Sequence, residues 1–362
     1  MEVRNLRLLA PTTLLPSPGL NLITGPNGAG KTSLLEALHL LAYGRSFRGR
    51  VRDGLIRTGA DAIEVFAKWT EGESGLARKA GLRHSGQRWE GRLDGQAVAQ
   101  LGDLCAALAA VTFEPGSHAL VSGGGESRRR FMDWGLFHVE PDFFPLWRRY
   151  ARALKQRNAL LKARHRDPDQ LDVWDVELAD AGEPLGRHRQ AYLEALQTQL
   201  EAVAADFLPS LGAAAFAYQP GWRRDELSLA DALLLARERD WATGFTSVGP
   251  HRADWRVDYS ERPGREVLSR GQAKLTALTC LLVQAEHFAV RRGEWPVILL
   301  DDLGSELDQA HQSRVLRYLQ AGQAQVFLTG TEAPAALLPL APDSMLFHVE
   351  HGRVQQVASH QG

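Results

Sequence analysis

Residues 25–32 read Gly25-Pro26-Asn27-Gly28-Ala29-Gly30-Lys31-Thr32, and Ser33 follows. Glycines, a lysine and a hydroxyl residue at this spacing suit the binding of phosphate groups. The glycines let backbone N–H groups turn inward around phosphate oxygens, and the helix that follows offers the positive end of its dipole. Lys31 would reach the terminal phosphates of a nucleotide, and the Thr32 hydroxyl would bind Mg2+. The motif needs a strand before it and a helix after it. Both are legible: Leu20–Thr24 is an apolar, strand-like run, and Leu34, Leu35, Leu38 and Leu41 recur at helical spacing. Taken alone, the segment says nucleotide without saying what is done with it.

A second group of chemical residues lies toward the far end of the chain. Val297-Ile298-Leu299-Leu300-Asp301-Asp302 reads as a strand buried in a parallel sheet, with a carboxylate emerging at its C-terminal end. Asp301 in that place holds Mg2+, directly or through water. Asp302, one residue on, orients or deprotonates an attacking water. A third segment, Leu268-Ser269-Arg270-Gly271-Gln272, opens a helix. Its serine can donate to a phosphate, the Gly271 backbone allows close approach, and the helix N-terminus favours an anion. By itself this segment is a turn and a helix cap. Its meaning comes from order: phosphate loop early, this segment late, then the acidic strand about thirty residues on.

The elements that must position these residues imply an α/β fold with a mixed sheet around a P-loop. The chain has 362 residues, 44% hydrophobic and 23% charged, enough for a sizeable core and for more than one average domain. Strand-like pieces at Ala62–Trp69, Gly75–Leu82 and Trp89–Leu93 predict an antiparallel sheet beside the strand–loop–helix unit. From about Ser127 to Trp241 the pattern turns helical. Phe143–His165 and Glu183–Phe207 are rich in Arg, Ala and Leu and polar around much of their circumference. Strand signals return at Trp255–Tyr259, Val297–Asp301 and Gln325–Thr329, with a helix at Gln272–Arg291. The expected architecture is a nucleotide-binding head built from both chain ends, residues 1–126 and 242–362, with a helical arm inserted at 127–241. No run is long and apolar enough to span a bilayer, and the first residues lack the apolar stretch of a secretory signal. Cys105 and Cys280 make no disulfide framework. A cytoplasmic protein with no membrane partner is expected.

With 42 basic and 43 acidic residues, the chain lacks the overall field that announces a nucleic-acid partner. Any DNA contact must come from a local patch or from assembly. Candidates are Arg128, Arg129 and Arg130 after a glycine-rich loop, and Arg148, Arg149, Arg152, Lys155, Arg157, Lys162, Arg164 and Arg166 in the arm. Positions 148, 152 and 155 share one helical face, which is either a phosphate-backbone footprint or a solvated surface. Arg129 and Arg130 are equally placed to pair with acids of the head. Trp147 and Tyr150 read as packing residues of the arm before base-stacking platforms. His251 and Arg252 either approach nucleotide or the other subunit, or shape a re-entry turn, and Arg45–Arg48 is a further candidate contact to nucleotide or DNA.

The order of the three segments resembles the ABC-ATPase superfamily, in which Leu-Ser-Gly-Gly-Gln is the signature sequence; Arg270 replaces its first glycine here. The resemblance implies ATP and Mg2+ as cofactors. It also implies nucleotide contacts from the phosphate loop and from Ser269, Arg270, Gly271 and Gln272, with Lys31, Ser269, Asp301 and Asp302 acting in hydrolysis. A head-to-tail homodimer follows, in which the signature of one subunit meets the γ-phosphate held by the other. Transporter subunits fit less well. The whole arm separates Lys31 from Ser269, and Glu114-Pro115 and Thr329 stand where a Gln loop and a switch His belong. SMC-like repair ATPases carry long coiled coils, whose sustained heptads are absent here. Instead, Gly25–Glu36, Gly44–Arg48, Leu120–Trp134, Leu154–Leu160, Trp174–Leu178, Gly249–Trp255, Leu268–Lys274 and Asp301–Asp308 are similar to the RecF family along nearly the whole chain. That family implies binding at gapped DNA and single-strand/double-strand junctions, and work with RecO and RecR to load the recombinase RecA in DNA repair and the SOS response. Asp302, where transporters carry Glu, implies slow hydrolysis, and the family resemblance implies that DNA stimulates it.

Overall fold

The structure, a computed structural model, describes residues 1–49, 54–72, 74–262, 268–332 and 344–357. In chain order come β1 (Glu2–Arg4), β2 (Thr12–Thr13), β3 (Leu20–Thr24), α1 (Lys31–Tyr43), β4 (Ile63–Glu71), β5 (Leu76–His84), β6 (Trp89–Leu93), β7 (Gln96–Ala97), α2 (Leu101–Ala107) and β8 (Ala110–Phe113). Then follow α3 (Ala119–Ser122), α4 (Gly125–Val139), α5 (Phe143–Leu161), α6 (Pro168–Phe207), β9 (Ala214–Gln219), α7 (Leu229–Thr243), β10 (Asp254–Tyr259) and α8 (Arg270–Arg292). The chain ends with β11 (Val297–Leu300), α9 (Leu303–Glu306), α10 (Gln309–Ala321), β12 (Val326–Gly330), β13 (Met345–Glu350) and β14 (Arg353–Val357). Internal contacts divide it into two units, Met1–Ser117 with Gln284–Gly362, and His118–Val283. No helix among the described residues is long and apolar enough to cross a membrane.

The first unit holds two six-stranded sheets. One runs β2-β1-β4-β5-β6-β7 and is antiparallel throughout. The other runs β14-β13-β3-β12-β11-β8, parallel except for its edge strand β14. Helix α1 buries Leu34, Leu35, Ala37, Leu38, Leu40 and Leu41 in a core shared with Val65 and Leu82 of the antiparallel sheet and Leu299 and Phe327 of the mixed one. A helix apolar on nearly every side is what a position packed against both sheets selects. That packing holds α1, and the loop before it, from both sides. The parallel strands bring the C-terminal ends of β3, β12, β11 and β8 to one edge, where ligands of such sheets bind.

In the second unit β9 and β10 pair antiparallel, from Asp254↔Gln219 to Tyr259↔Ala214. Helix α6 is 40 residues long and buries Leu171, Asp175, Leu178, Gly182, Leu185, Arg189, Tyr192 and Leu196. These fall at alternating steps of four and three, the seam of a heptad repeat. The seam is invisible to a search for apolar heptads because three successive alternate positions, Asp175, Gly182 and Arg189, are charged or glycine. Each has a structural cause. Asp175 accepts from Arg157 at 2.5 Å, a Cβ on Gly182 would lie 2.5 Å from Leu229 and 2.9 Å from Tyr150, and Arg189 grips Asp133 at 2.8 and 2.9 Å.

The divisions fall at 117/118 and 283/284 rather than at the expected 126/127 and 241/242. Pairing is the reason. Arg128, 1% exposed, donates to both Asp254 carboxylate oxygens at 2.5 and 2.9 Å and to the Leu120 and Gly123 carbonyls at 3.3 and 2.8 Å. This ties the segment before α4 to β10. The strand Trp255–Tyr259, expected in the head, instead pairs with β9, which lies within the stretch expected to be helical.

Candidate nucleotide site

The C-terminal edge of the mixed sheet gathers the chemical residues of the first unit. β3 runs into Gly25, whose φ is 142°. A Cβ there would lie 2.1 Å from the Val349 carbonyl oxygen on β13, so only glycine lets the loop pass. Lys31, buried at the start of α1, donates Nζ to the Gly25 and Pro26 carbonyls at 2.7 and 3.0 Å. Ala29 closes the turn, its N–H donating to Pro26 at 3.2 Å. The Thr32 hydroxyl donates to Asp301, 2.9 and 3.1 Å from its two carboxylate oxygens. Asp301 lies one residue past the paired Leu300↔Leu328, so register sets it beside Thr329, which donates to Oδ1 at 2.7 Å. Asn27, Gly28, Gly30, Lys31, Thr32 and Ser33 line a cleft of about 340 Å3 together with Asp301 and Asp302.

Burial lowers the pKa of Lys31, against the pull of Asp302 and Asp301. It raises that of Asp301, against the hydrogen bonds from Thr329 and Thr32. Each charge is held partly out of water, a cost that a phosphate beside Lys31 and a cation beside Asp301 would relieve. A hydroxyl and a carboxylate are hard oxygen donors, and the pair fits Mg2+ shared with phosphate oxygens. Among the described residues no three His, Cys, Asp or Glu gather to hold a metal unaided. Asp302 has φ 51°, and its Oδ2 accepts from Ser305 at 2.7 Å.

Three further residues belong to this site. Glu36, fully buried on α1, accepts from Arg7 at 2.6 and 2.7 Å and from Ser46, and Arg48 stands 4.0 Å from it. Arg7 and Arg48 both line the cleft. Of the segment Arg45–Arg48, then, Arg48 lines the cleft. Arg7 carries no motif; its only trace in the sequence is an acid, Glu36, set among the buried leucines of α1, since a buried carboxylate demands a partner.

Ser269, Arg270, Gly271 and Gln272 lie in the second unit. Gln272 N–H donates to Ser269 Oγ at 3.2 Å and Ser269 N–H to Gln272 Oε1 at 2.9 Å, a reciprocal cap on α8. Ser269 acts there as acceptor, which leaves its hydroxyl proton for another partner. Ser269, Arg270 and Gly271 are exposed.

The basic candidates separate by burial. Arg157 is fully buried, donating to Asp175 and to Asp240 at 2.5 and 2.7 Å, and with Arg128 it leaves the set open to DNA. Arg129 donates to the Ala253 carbonyl at 2.8 Å, and Arg130 pairs with Glu126 one turn away, both within the second unit. Arg149 is paired with Glu177, and Arg166 with Glu238. Arg148, Arg152 and Lys155 are exposed on α5. Tyr150 is buried and its hydroxyl donates to His251 Nδ1 at 2.7 Å, while His251 Nε2–H donates to the Thr246 carbonyl at 2.9 Å. The carbonyl can only accept, so Nε2 carries the proton. Arg252 lies 5.2 Å over the Phe245 ring. These contacts shape the turn at Gly249–Arg252.

A mixed sheet with a phosphate loop after one strand, paired acids after another and a serine-led helix late in the chain defines an ATPase head of the ABC class. The family model described as RecF/RecN/SMC N terminal domain matches residues 1–337. The DNA replication and repair protein RecF of Stenotrophomonas maltophilia (strain R551-3) is 66% identical over 361 residues, covering 99% of this chain and 98% of that one. Its counterpart in Xanthomonas axonopodis pv. citri (strain 306) is 63% identical over 362 residues, with 99% and 98% covered. Of solved structures, that of the recombination mediator protein RecF-ATP in the RecFOR pathway is similar at 27% identity and TM-score 0.87, covering 99% and 96%. The Smc head bound to the C-winged helix domain of ScpA is similar in fold, at 15% identity and TM-score 0.63 over 99% and 97%. The chain belongs to the RecF family.

Proposed function

We propose that this protein binds ATP with Mg2+ in the cleft, hydrolyses it slowly, and works as an ATP-dependent DNA-binding recombination mediator. It dimerises around ATP on gapped or single-strand/double-strand junction DNA and, with RecO and RecR, helps to load recombinase in DNA repair and the SOS response. One observation carries the reading: Lys31, Thr32 and Asp301, a buried ammonium, a hydroxyl and a carboxylate, converge beside a loop shaped for phosphate. Lys31 and the loop N–H groups hold the β- and γ-phosphates and oppose the charge that builds on them during transfer. Thr32 and Asp301 hold Mg2+, which when bound neutralises phosphate oxygens. Asp302 orients the attacking water and accepts its proton from a carboxylate that Ser305 steadies. Ser269, with its hydroxyl proton uncommitted in the cap, and the exposed Arg270 and Gly271 complete the site of a second subunit. Support for DNA and for RecO and RecR comes from the relatives, one described as a recombination mediator of the RecFOR pathway.

The test uses the purified full chain with ATP and Mg2+, and with no DNA, single-stranded, duplex or gapped DNA. Expected are ATP-dependent dimers and a low turnover that gapped DNA raises, both lost in Lys31→Met. Dimerisation and turnover indifferent to every DNA would overturn the mediator reading. Turnover on the order of 10 per second or more with DNA present, ordinary for enzymes, would overturn the slow switch.

A further inference from the structure

The hydroxyl of Thr329, on β12, joins the two acidic residues of the cleft. It lies 2.7 Å from Asp301 Oδ1 and 2.8 Å from the Asp302 backbone nitrogen. Chemistry fixes the polarity of both bonds. A backbone N–H can only donate, so the Thr329 oxygen accepts there and sends its single proton to Asp301. Thr329 is 1% exposed, so water does not compete for either bond. Asp302 has most need of such a hold. Its φ of 51° is a left-handed conformation that residues other than glycine adopt at a cost. That turn is what carries its carboxylate into the cleft.

We propose that Thr329 is a positioning residue of the nucleotide site. Through one hydroxyl it sets the Asp301 carboxylate toward Thr32 and Mg2+, and it fixes the backbone turn that presents Asp302 to the attacking water. The inference rests on the ATPase reading above and gives Thr329, which stands where transporters carry a switch His, a positioning role on β12. A hydroxyl is needed because the two bonds require one atom that both accepts and donates. Valine keeps the shape and removes both bonds; serine keeps both.

The full chain and its Thr329→Val and Thr329→Ser forms are titrated with a fluorescent ATP analogue at stepped Mg2+ and in EDTA. Steady-state hydrolysis and thermal melting run alongside. In Thr329→Val the Mg2+ concentration for half-maximal binding should rise about tenfold and kcat fall about tenfold or more, the scale of a lost hydrogen bond to a charged group. Affinity in EDTA, which depends on Lys31 and the loop, should stay within about threefold, and Thr329→Ser should restore both quantities to within about threefold. Wild type that binds no Mg2+-dependent ATP would overturn the ATPase reading itself. Wild type that does, with Thr329→Val equal to it in Mg2+ half-point and kcat, would overturn the role of Thr329 alone. So would equal losses with Mg2+ and in EDTA, which mark a merely structural threonine. If Thr329→Val does not fold, the serine form decides, because a folded Thr329→Ser that loses the Mg2+ response contradicts the proposal.

Discussion

Replacing Gly25 with alanine should cost ATP binding far more than the same change at Gly28. Both residues have positive φ, 142° and 78°, where an L side chain costs about 1–2 kcal/mol. That shared cost is worth about a tenfold loss in binding that needs the native loop. The surroundings differ. A Cβ at Gly28 meets nothing within 4 Å, whereas at Gly25 it would lie 2.1 Å from the Val349 oxygen and 3.1 Å from the Val349 carbonyl carbon. Those are backbone atoms of β13, where Val349 pairs with Val354 of β14 and the preceding His348 with Thr24 of β3, and they have little room to yield. The loop must shift instead, by roughly 1 Å, to restore an ordinary contact. Lys31, which donates to the Gly25 carbonyl at 2.7 Å, shifts with it. A displacement of that size in an orienting site is worth about a hundredfold. ATP affinity in Mg2+ should therefore fall about a hundredfold or more in Gly25→Ala and about tenfold or less in Gly28→Ala. A fluorescent-nucleotide titration reads this, with melting curves to establish that both variants fold. Equal affinities in the two, or Gly25→Ala within tenfold of wild type, would refute the steric argument.

The exposed and buried basic residues of α5 should part company. Changing Arg148, Arg152 and Lys155 together to Glu is expected to weaken DNA binding and flatten its salt dependence while leaving ATP affinity unchanged; unaltered DNA affinity at moderate salt would reduce them to a solvated face. Arg157→Ala strands the buried Asp240 carboxylate and should cost about 3–5 kcal/mol in urea unfolding, and a cost below 1 kcal/mol would contradict that account. Composite sites predict that Lys31→Met and Ser269→Arg proteins, each inactive, regain about a quarter of wild-type turnover when mixed in equal amounts; confirmed mixed dimers with no recovery would place Ser269 in its own subunit's site or require both sites to fire together. Burial lowers His251 to about 4, so its stabilising share is full above the unfolded value near 6.5 and lost as pH falls toward 4. That share is on the order of 3 kcal/mol. Urea midpoints at pH 7 and pH 4.5 should differ less in His251→Gln than in wild type, and an unchanged difference would show that His251 does not titrate with unfolding.

Much of the site was legible because its chemistry is local. The phosphate loop packs its glycines, lysine and threonine into eight residues, and backbone sterics act over that span: the Gly25 contact is with another strand, but the φ that demands glycine belongs to the loop itself. The acidic pair was legible for a similar reason, as the four apolar residues before it read as a strand buried in a parallel sheet, and the carboxylates mark its end. Charge was a poorer guide. Arg128 and Arg157 look like their exposed neighbours in sequence, and only their distant partners Asp254 and Asp240 reveal them as buried.

By itself, then, the sequence determined the phosphate loop, the apolar α1 that must be buried behind it, the strands of both sheets near the N-terminus and the acidic strand end, because each is specified by residues within about ten positions of one another. Tertiary structure alone decided which strands became neighbours. The β11–β12 register sets Thr329 against Asp301, the β9–β10 pairing takes Trp255–Tyr259 out of the expected head, and Arg7 reaches Glu36 across the first unit. Each of these is a pairing between segments far apart in the chain, and no local propensity distinguishes the partner that wins from those that do not.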